Sequence, residues 1–216
     1  LSSPEHFAAP EVLLRRVAPV LPEGIELEYD GRYEAMFCYK AKNYALYDGQ
    51  RITLRGSALR SRGIEPFLKR LTDELISHLL GASPVSPLAT IEDYRRRLPR
   101  REVPVAELAK GESLSQSPEA YERLMAEVGK PRRAALEAAL QLPVRPRMGE
   151  RVRYYLTPKS KGRTADWQRA RPLALHDPVN APYDPDHYLG KIDDWLERYG
   201  AFLGAPASAS GEAAQG

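Results

Sequence analysis

Lys40, Lys42 and Tyr44 alternate within five residues. On an extended strand, side chains two apart share a side, so this spacing presents two ammonium groups and a phenol together. A second basic run, Arg145, Arg147, Arg151, Arg153, Lys159, Lys161 and Arg163, lies about a hundred residues further on. Alternation in Arg151-Val152-Arg153-Tyr154-Tyr155 places Arg151, Arg153 and Tyr155 on one side of a strand. The Lys159-Ser160-Lys161-Gly162-Arg163 loop can follow an anionic backbone, although an exposed edge and a flexible loop explain the same residues equally well. Residues 32–70 hold nine Lys/Arg against three Asp/Glu and residues 144–171 nine against two, whereas residues 176–200 carry six acids against two bases. Arg outnumbers Lys 24 to 8, and its planar fork suits bidentate phosphate contacts, although genome composition explains such a bias equally well.

Other reactive residue types have plainer readings. His176, Asp177, Asp184, Asp186 and His187 form an acidic, histidine-bearing patch without a recognisable ligand spacing, and a surface loop plus a helix N-terminus explains it. Within that patch Asp184-Pro185-Asp186 opens a helix, which gives the first aspartate a capping role rather than a metal. Cys38, between Phe37 and Tyr39, reads as a small buried residue of a strand, and Ser57 and Ser61 have no histidine nearby. Arg95, Arg96 and Arg97, with Arg100 and Arg101, either grip phosphate or form a solvated helix face.

The elements that position these residues follow from 216 residues with 43% hydrophobic content, enough for one large domain or two small ones. No apolar run approaches the roughly 18 residues of a membrane span. One cysteine excludes an internal disulfide and points to a reducing compartment. The opening Leu1-Ser2, with neither an initiator Met nor a basic leader, suggests a piece of a longer chain. Periodicity predicts a short helix over 10–21, a strand at Ile25-Leu27-Tyr29, and strands over 33–47 and 51–55 around the Asp48-Gly49 turn. A wide apolar stripe from Ile64 to Leu80 predicts a long helix stopped by Gly81. A linker over 81–90 then separates short helices at 90–98, 118–128 and 131–142, a strand at 152–156, and a helix opened by Asp184-Pro185. The small, polar residues 204–216 read as a disordered tail.

Residues 21–80 resemble family B DNA polymerases. The acidic, apolar Ile25-Glu26-Leu27-Glu28-Tyr29 leads to Ala41-Lys42-Asn43-Tyr44, which is similar to the family's Lys-Lys-Arg-Tyr motif. A turn, Arg55-Gly56, the arginines around Arg62 and a long amphipathic helix follow in the family's order. More weakly, residues 103–108, 148–156 and 183–200 are similar to its thumb. The resemblance implies an α+β fold, with a small antiparallel palm portion over residues 1–81 and a mainly helical thumb over 82–203.

Its functional implications concern primer-template duplex DNA. Lys40, Lys42 and Tyr44 would donate to minor-groove acceptors that every base pair presents. Arg55, Arg60 and Arg62 would hold phosphates, and Gly56 would let the backbone approach the DNA strand closely. Polymerisation in the family uses Mg²⁺ held by aspartates that the resemblance places upstream of residue 1, so the other partner is the rest of the polymerase, its catalytic palm and fingers, in a cytoplasmic, nucleoid-associated setting. Two rivals are a non-catalytic DNA-binding subunit of a split polymerase and an unrelated hydrolase using the acids between His176 and His187. The coding sequence upstream of Leu1 separates the first rival from the fragment reading.

Overall fold

The computed structural model describes residues 10–60, 63–126, 131–160 and 164–204. Arg62, Lys161, Arg163 and the expected tail beyond Gly204 lie outside them. The chain opens with α1 (Pro10–Val17), closed by a 3₁₀ turn that contains Pro19. An antiparallel sheet follows in the order β1 (Ala35–Lys40), β2 (Asn43–Tyr47), β3 (Ile52–Arg55), and then the long helix α2 (Pro66–Leu79). Three short helices come next: α3 (Pro87–Arg97), α4 (Val105–Leu108) and, after β4 (Lys110–Ser113), α5 (Pro118–Met125). Then come α6 (Ala134–Leu140), β5 (Arg151–Leu156), α7 (Asp166–Arg169), β6 (Ala170–Pro172) and α8 (Pro185–Tyr199). This is the α+β class that the sequence implied.

Residues 25–29 are a correction. They form no strand, and Ile25, Leu27 and Tyr29 are each about half exposed. Alternation encodes a strand only where a neighbour supplies the ladder, and among the described residues none pairs with this segment. The linker is also shorter than predicted, because Ser86 caps α3, its hydroxyl accepting from Leu88 N, and Pro87 fills the first helical position. Only the middle strand of the second sheet was legible. β4 and β6, without apolar alternation, are strands because each pairs with β5.

Helix α2 joins the cores. Phe67, Leu68, Leu71 and Leu75 pack with Tyr94, Tyr155, Tyr188, Ile192 and Trp195, while Ile76 and Leu80 pack with Ala45 and Leu59 beside the first sheet. Burying each such side chain contributes about 1.5–3 kcal/mol. Gly81, at φ 70°, ends the helix, and Ala82 N donates back to Ser77 O. A third cluster fills the space between α5, α6 and the second sheet.

The start of α8 is tied to the end of β5. Asp184 N donates to Leu156 O at 2.9 Å, and Leu156 N donates to the Tyr188 hydroxyl at 3.1 Å. The Asp184 carboxylate caps α8 through Oδ1 and accepts from the Arg169 guanidinium through Oδ2, with both side chains almost fully buried. Removing one member of a buried pair leaves the other charge without compensation. Arg169→Met is therefore expected to cost about 3–5 kcal/mol in urea unfolding monitored by circular dichroism. A loss below about 1 kcal/mol would show that the pair does not anchor α8.

Candidate nucleic-acid interface

The first sheet has one covered and one open face. Ala35, Phe37 and Tyr39 face the core, while Met36, Cys38 and Lys40 are exposed, so Cys38 is not the buried residue expected from its neighbours. Tyr44 lies opposite Cys38 on one side and Arg55 on the other, which puts Tyr44 and Arg55 on the open face with Cys38, while the register shifts after Cys38 so that Lys40 lies opposite Asn43, exposed at the end of the strand. The Lys40 ammonium sits 5.1 Å from the centre of the Tyr39 ring.

Lys42 is not a strand residue. It occupies the turn between β1 and β2 at φ 61°, because so tight a hairpin needs a residue in the left-handed region. Two-residue alternation therefore stops at Lys40, and Lys42 projects from the hairpin tip. Asn43 holds that tip, its Nδ2 donating to Ala41 O at 2.9 Å and its Oδ1 accepting from Ala58 N at 2.8 Å. Gly56, at φ 83°, lies under the same turn, where a Cβ would sit 2.2 Å from Lys42 O and 2.4 Å from Asn43 Oδ1. Within the chain, the close approach that Gly56 permits is to this carbonyl.

Most of the remaining described cations have partners within the chain. Arg55 reaches Asp30 at 3.3 Å between two exposed side chains, and Arg60 makes a long bond to Leu54 O at 3.4 Å. Arg145 forks onto the Glu122 carboxylate, whereas the exposed Arg147 donates to Glu150 through its backbone N–H. Arg151 Nη2 donates to Gly111 O at 3.1 Å and Arg153 Nη2 to Ala106 O at 2.6 Å. Lys159 is exposed beyond the opposite end of β5 from Arg145 and Arg147, and six extended residues span about 20 Å, so the second basic run is not one cluster. Tyr155 does not share the open side with Arg151 and Arg153. It is buried, donating to Ala181 O at 2.7 Å, because β6 and the segment after it cover that end of β5.

The patch between His176 and His187 is organised by arginine. Arg169 donates to Asp184 and Asp166 and lies 3.2 Å from His187 Nδ1, so its guanidinium holds the centre that a cation would occupy. His176 packs edge-on against Tyr155, and Asp177 caps its own loop through Val179 N and Asn180 N. Among the described residues no three His, Cys, Asp or Glu side chains come together as a metal site. The described residues therefore do not form the Mg²⁺ centre that family B DNA polymerases use. Burial, then the Arg169 charge, lowers the His187 pKa from 6.5 to about 4, so this histidine is neutral near pH 7.

The chain is similar in sequence to DNA polymerases and in fold to a family B DNA polymerase, in line with the resemblance of residues 21–80. The DNA polymerase of Desulfurococcus sp. (strain Tok) is 29% identical over 178 residues, 82% of this chain and 22% of the relative. The DNA polymerase of Thermococcus kodakarensis (strain ATCC BAA-918 / JCM 12380 / KOD1) is also 29% identical over 178 residues, which make up 10% of its length. The family B DNA polymerase from the hyperthermophilic archaeon Pyrobaculum calidifontis shares the fold, with a TM-score of 0.60 at 21% identity. That likeness covers 94% of this chain and 25% of the other. No family model matches, and the chain spans less than a quarter of the curated relatives' length.

Sequence reasoning missed Asn43, whose signal was an Asn just after a hairpin tip, where an amide can bond nearby backbone. Two expectations follow from these contacts. Gly56→Ala forces both a disfavoured φ and a clash, and should destabilise the chain by about 2 kcal/mol or more, checked by thermal unfolding. Below pH 6.5 the unfolded chain protonates His187 and the folded chain does not until about pH 4. The stability contributed by the neutral ring is therefore present above pH 6.5 and lost as pH falls through that window. In His187→Gln this part of the pH dependence of unfolding should vanish, and an unchanged slope would contradict the assignment.

Proposed function

We propose that this chain holds primer-template duplex DNA as the palm-end and thumb portion of a family B DNA-directed DNA polymerase. Template-directed synthesis would belong to the intact protein, with Mg²⁺ held by residues outside this chain. The observation that carries the reading is the β1–β2 hairpin, which gathers Lys40, Lys42, Tyr44 and Arg55 around its tip, in a chain similar to DNA polymerases over 82% of its length.

The chemistry suits copying. Purine N3 and pyrimidine O2 accept hydrogen bonds in the minor groove whatever the sequence, so lysine and tyrosine donors at the hairpin test the shape of a pair without reading its identity. The flexible stem of Lys42 on a fixed tip lets its ammonium reach such acceptors, while Asn43 and Gly56 keep the tip in place. Arg55, Arg60 and the second basic run supply phosphate contacts that fix register without specificity. Their ion pairs are mostly exposed, and exposed pairs are worth about 0–1 kcal/mol, so a phosphate can displace the carboxylate.

Binding of a labelled primer-template by this chain tests the reading. With about four to six phosphates neutralised, log affinity should fall against log salt with a slope of roughly −4 to −5, alike for unrelated sequences. Lys40→Ala with Lys42→Ala should weaken binding by about tenfold or more on every sequence, and Tyr44→Phe by less. Salt-independent binding, or a preference for one sequence, would overturn the assignment.

A further inference from the structure

Three separate elements converge on an open groove of about 620 Å³ that neither sequence motif identified. Arg60 comes from the segment after β3, Lys69 and Arg70 from the first turns of α2, and Arg151 from the start of β5. Gly63, at φ 76°, lies on its wall. The geometry points to this groove as the track for the phosphodiester backbone of one strand of the bound duplex, with Lys69 and Arg70 as phosphate-binding residues beside Arg60 and Arg151. This assignment rests on the DNA-binding reading above and names the part of the chain that grips the backbone.

The electrostatics of the groove support an anion. Its four cations face two carboxylates, Asp73 and Glu74, which leaves two positive charges in excess. Lys69 bonds to Asp73 and Arg70 to Glu74, each one helical turn apart. These pairs hold the cations upright along one side of α2, with Lys69 and Arg70 still more than half exposed. A pair four residues apart is worth only about 0.3–0.5 kcal/mol, less than a charge-assisted bond to phosphate, so phosphate wins the exchange.

Arg151, from β5, is held by the backbone of β4. Its guanidinium lies against Gly111, where a Cβ would come within 2.4 Å of Nε, and donates to the Gly111 carbonyl at 3.1 Å. Arg has five N–H donors, so this bond leaves others free for a phosphate. A fork held in this way beside a row of helix cations matches a linear array of phosphates better than it matches one small anion.

The test uses the whole chain and a labelled primer-template duplex, with affinity measured across a range of KCl. Replacing Arg60, Lys69 and Arg151 together by Gln should make the salt slope shallower by about 2–3, with the thermal midpoint and the contribution of Lys40 and Lys42 retained. Asp73→Asn should tighten binding by about twofold at low salt, a gain that loss of folding does not produce. Duplex binding with an unchanged slope in the triple variant and no gain in Asp73→Asn would overturn the groove and leave the function standing. No duplex binding by the unaltered chain at any salt would overturn the function first, and the groove with it.

Discussion

Helix α2 must satisfy two cores at once, and the rest of the structure depends on how it does so. One side of the helix packs Phe67, Leu68, Leu71 and Leu75 against α3, β5 and α8, and another packs Ile76 and Leu80 against the first sheet. Within this contact Trp195 Nε1 donates to Thr72 Oγ1 at 3.0 Å, while the Thr72 hydroxyl donates to Leu68 O at 3.0 Å. Both polar groups are thereby satisfied without water, and the bond fixes the rotation and the height of α8 on α2. Because α2 also lines the groove with Lys69 and Arg70, the packing that sets its rotation sets the direction of those cations.

The hairpin shows the same division between what is buried and what is presented. Its covered face meets the last residue of α8 and the turn after it through Phe37 and Tyr39, whose rings contact Phe202 and Tyr199 at centroid distances of 5.1 and 5.3 Å. That contact ties the first sheet to the segment after α8 and leaves the other face open. At the tip, a left-handed Lys42 costs about 1–2 kcal/mol against an ordinary conformation, offset by the two bonds of Asn43 and the close seat under Gly56. The outcome is a lysine on a rigid pedestal, which suits a contact made by reach rather than by shape.

Long, strongly periodic elements were legible in the sequence, and pairings between distant residues were not. The α2 stripe, the Gly81 stop and the Asp184-Pro185 start all appear in the structure, because each signal lies within one or two helical turns. Alternation failed twice, for opposite reasons. Ile25, Leu27 and Tyr29 alternate but find no neighbouring strand among the described residues, whereas β4 and β6 lack alternation and pair with β5. Lys42 fell into the gap between these cases, since a motif that reads as one strand is folded into two with the lysine at the bend. The groove was illegible for a similar reason: Arg60, Lys69 and Arg151 are brought together only by tertiary packing, and local charge counts cannot see that.

The most direct test of the central claim, that the hairpin and the helix α2 groove face bound duplex DNA together, is a map of backbone amide NMR shifts on titration with primer-template at low salt. Changes should concentrate in residues 40–44, 55–60, 69–70 and 151–153, with the α3 surface around Arg95–Arg97 unmoved. Changes confined to that α3 surface or to the exposed segment 25–29, with the hairpin and groove silent, would contradict it.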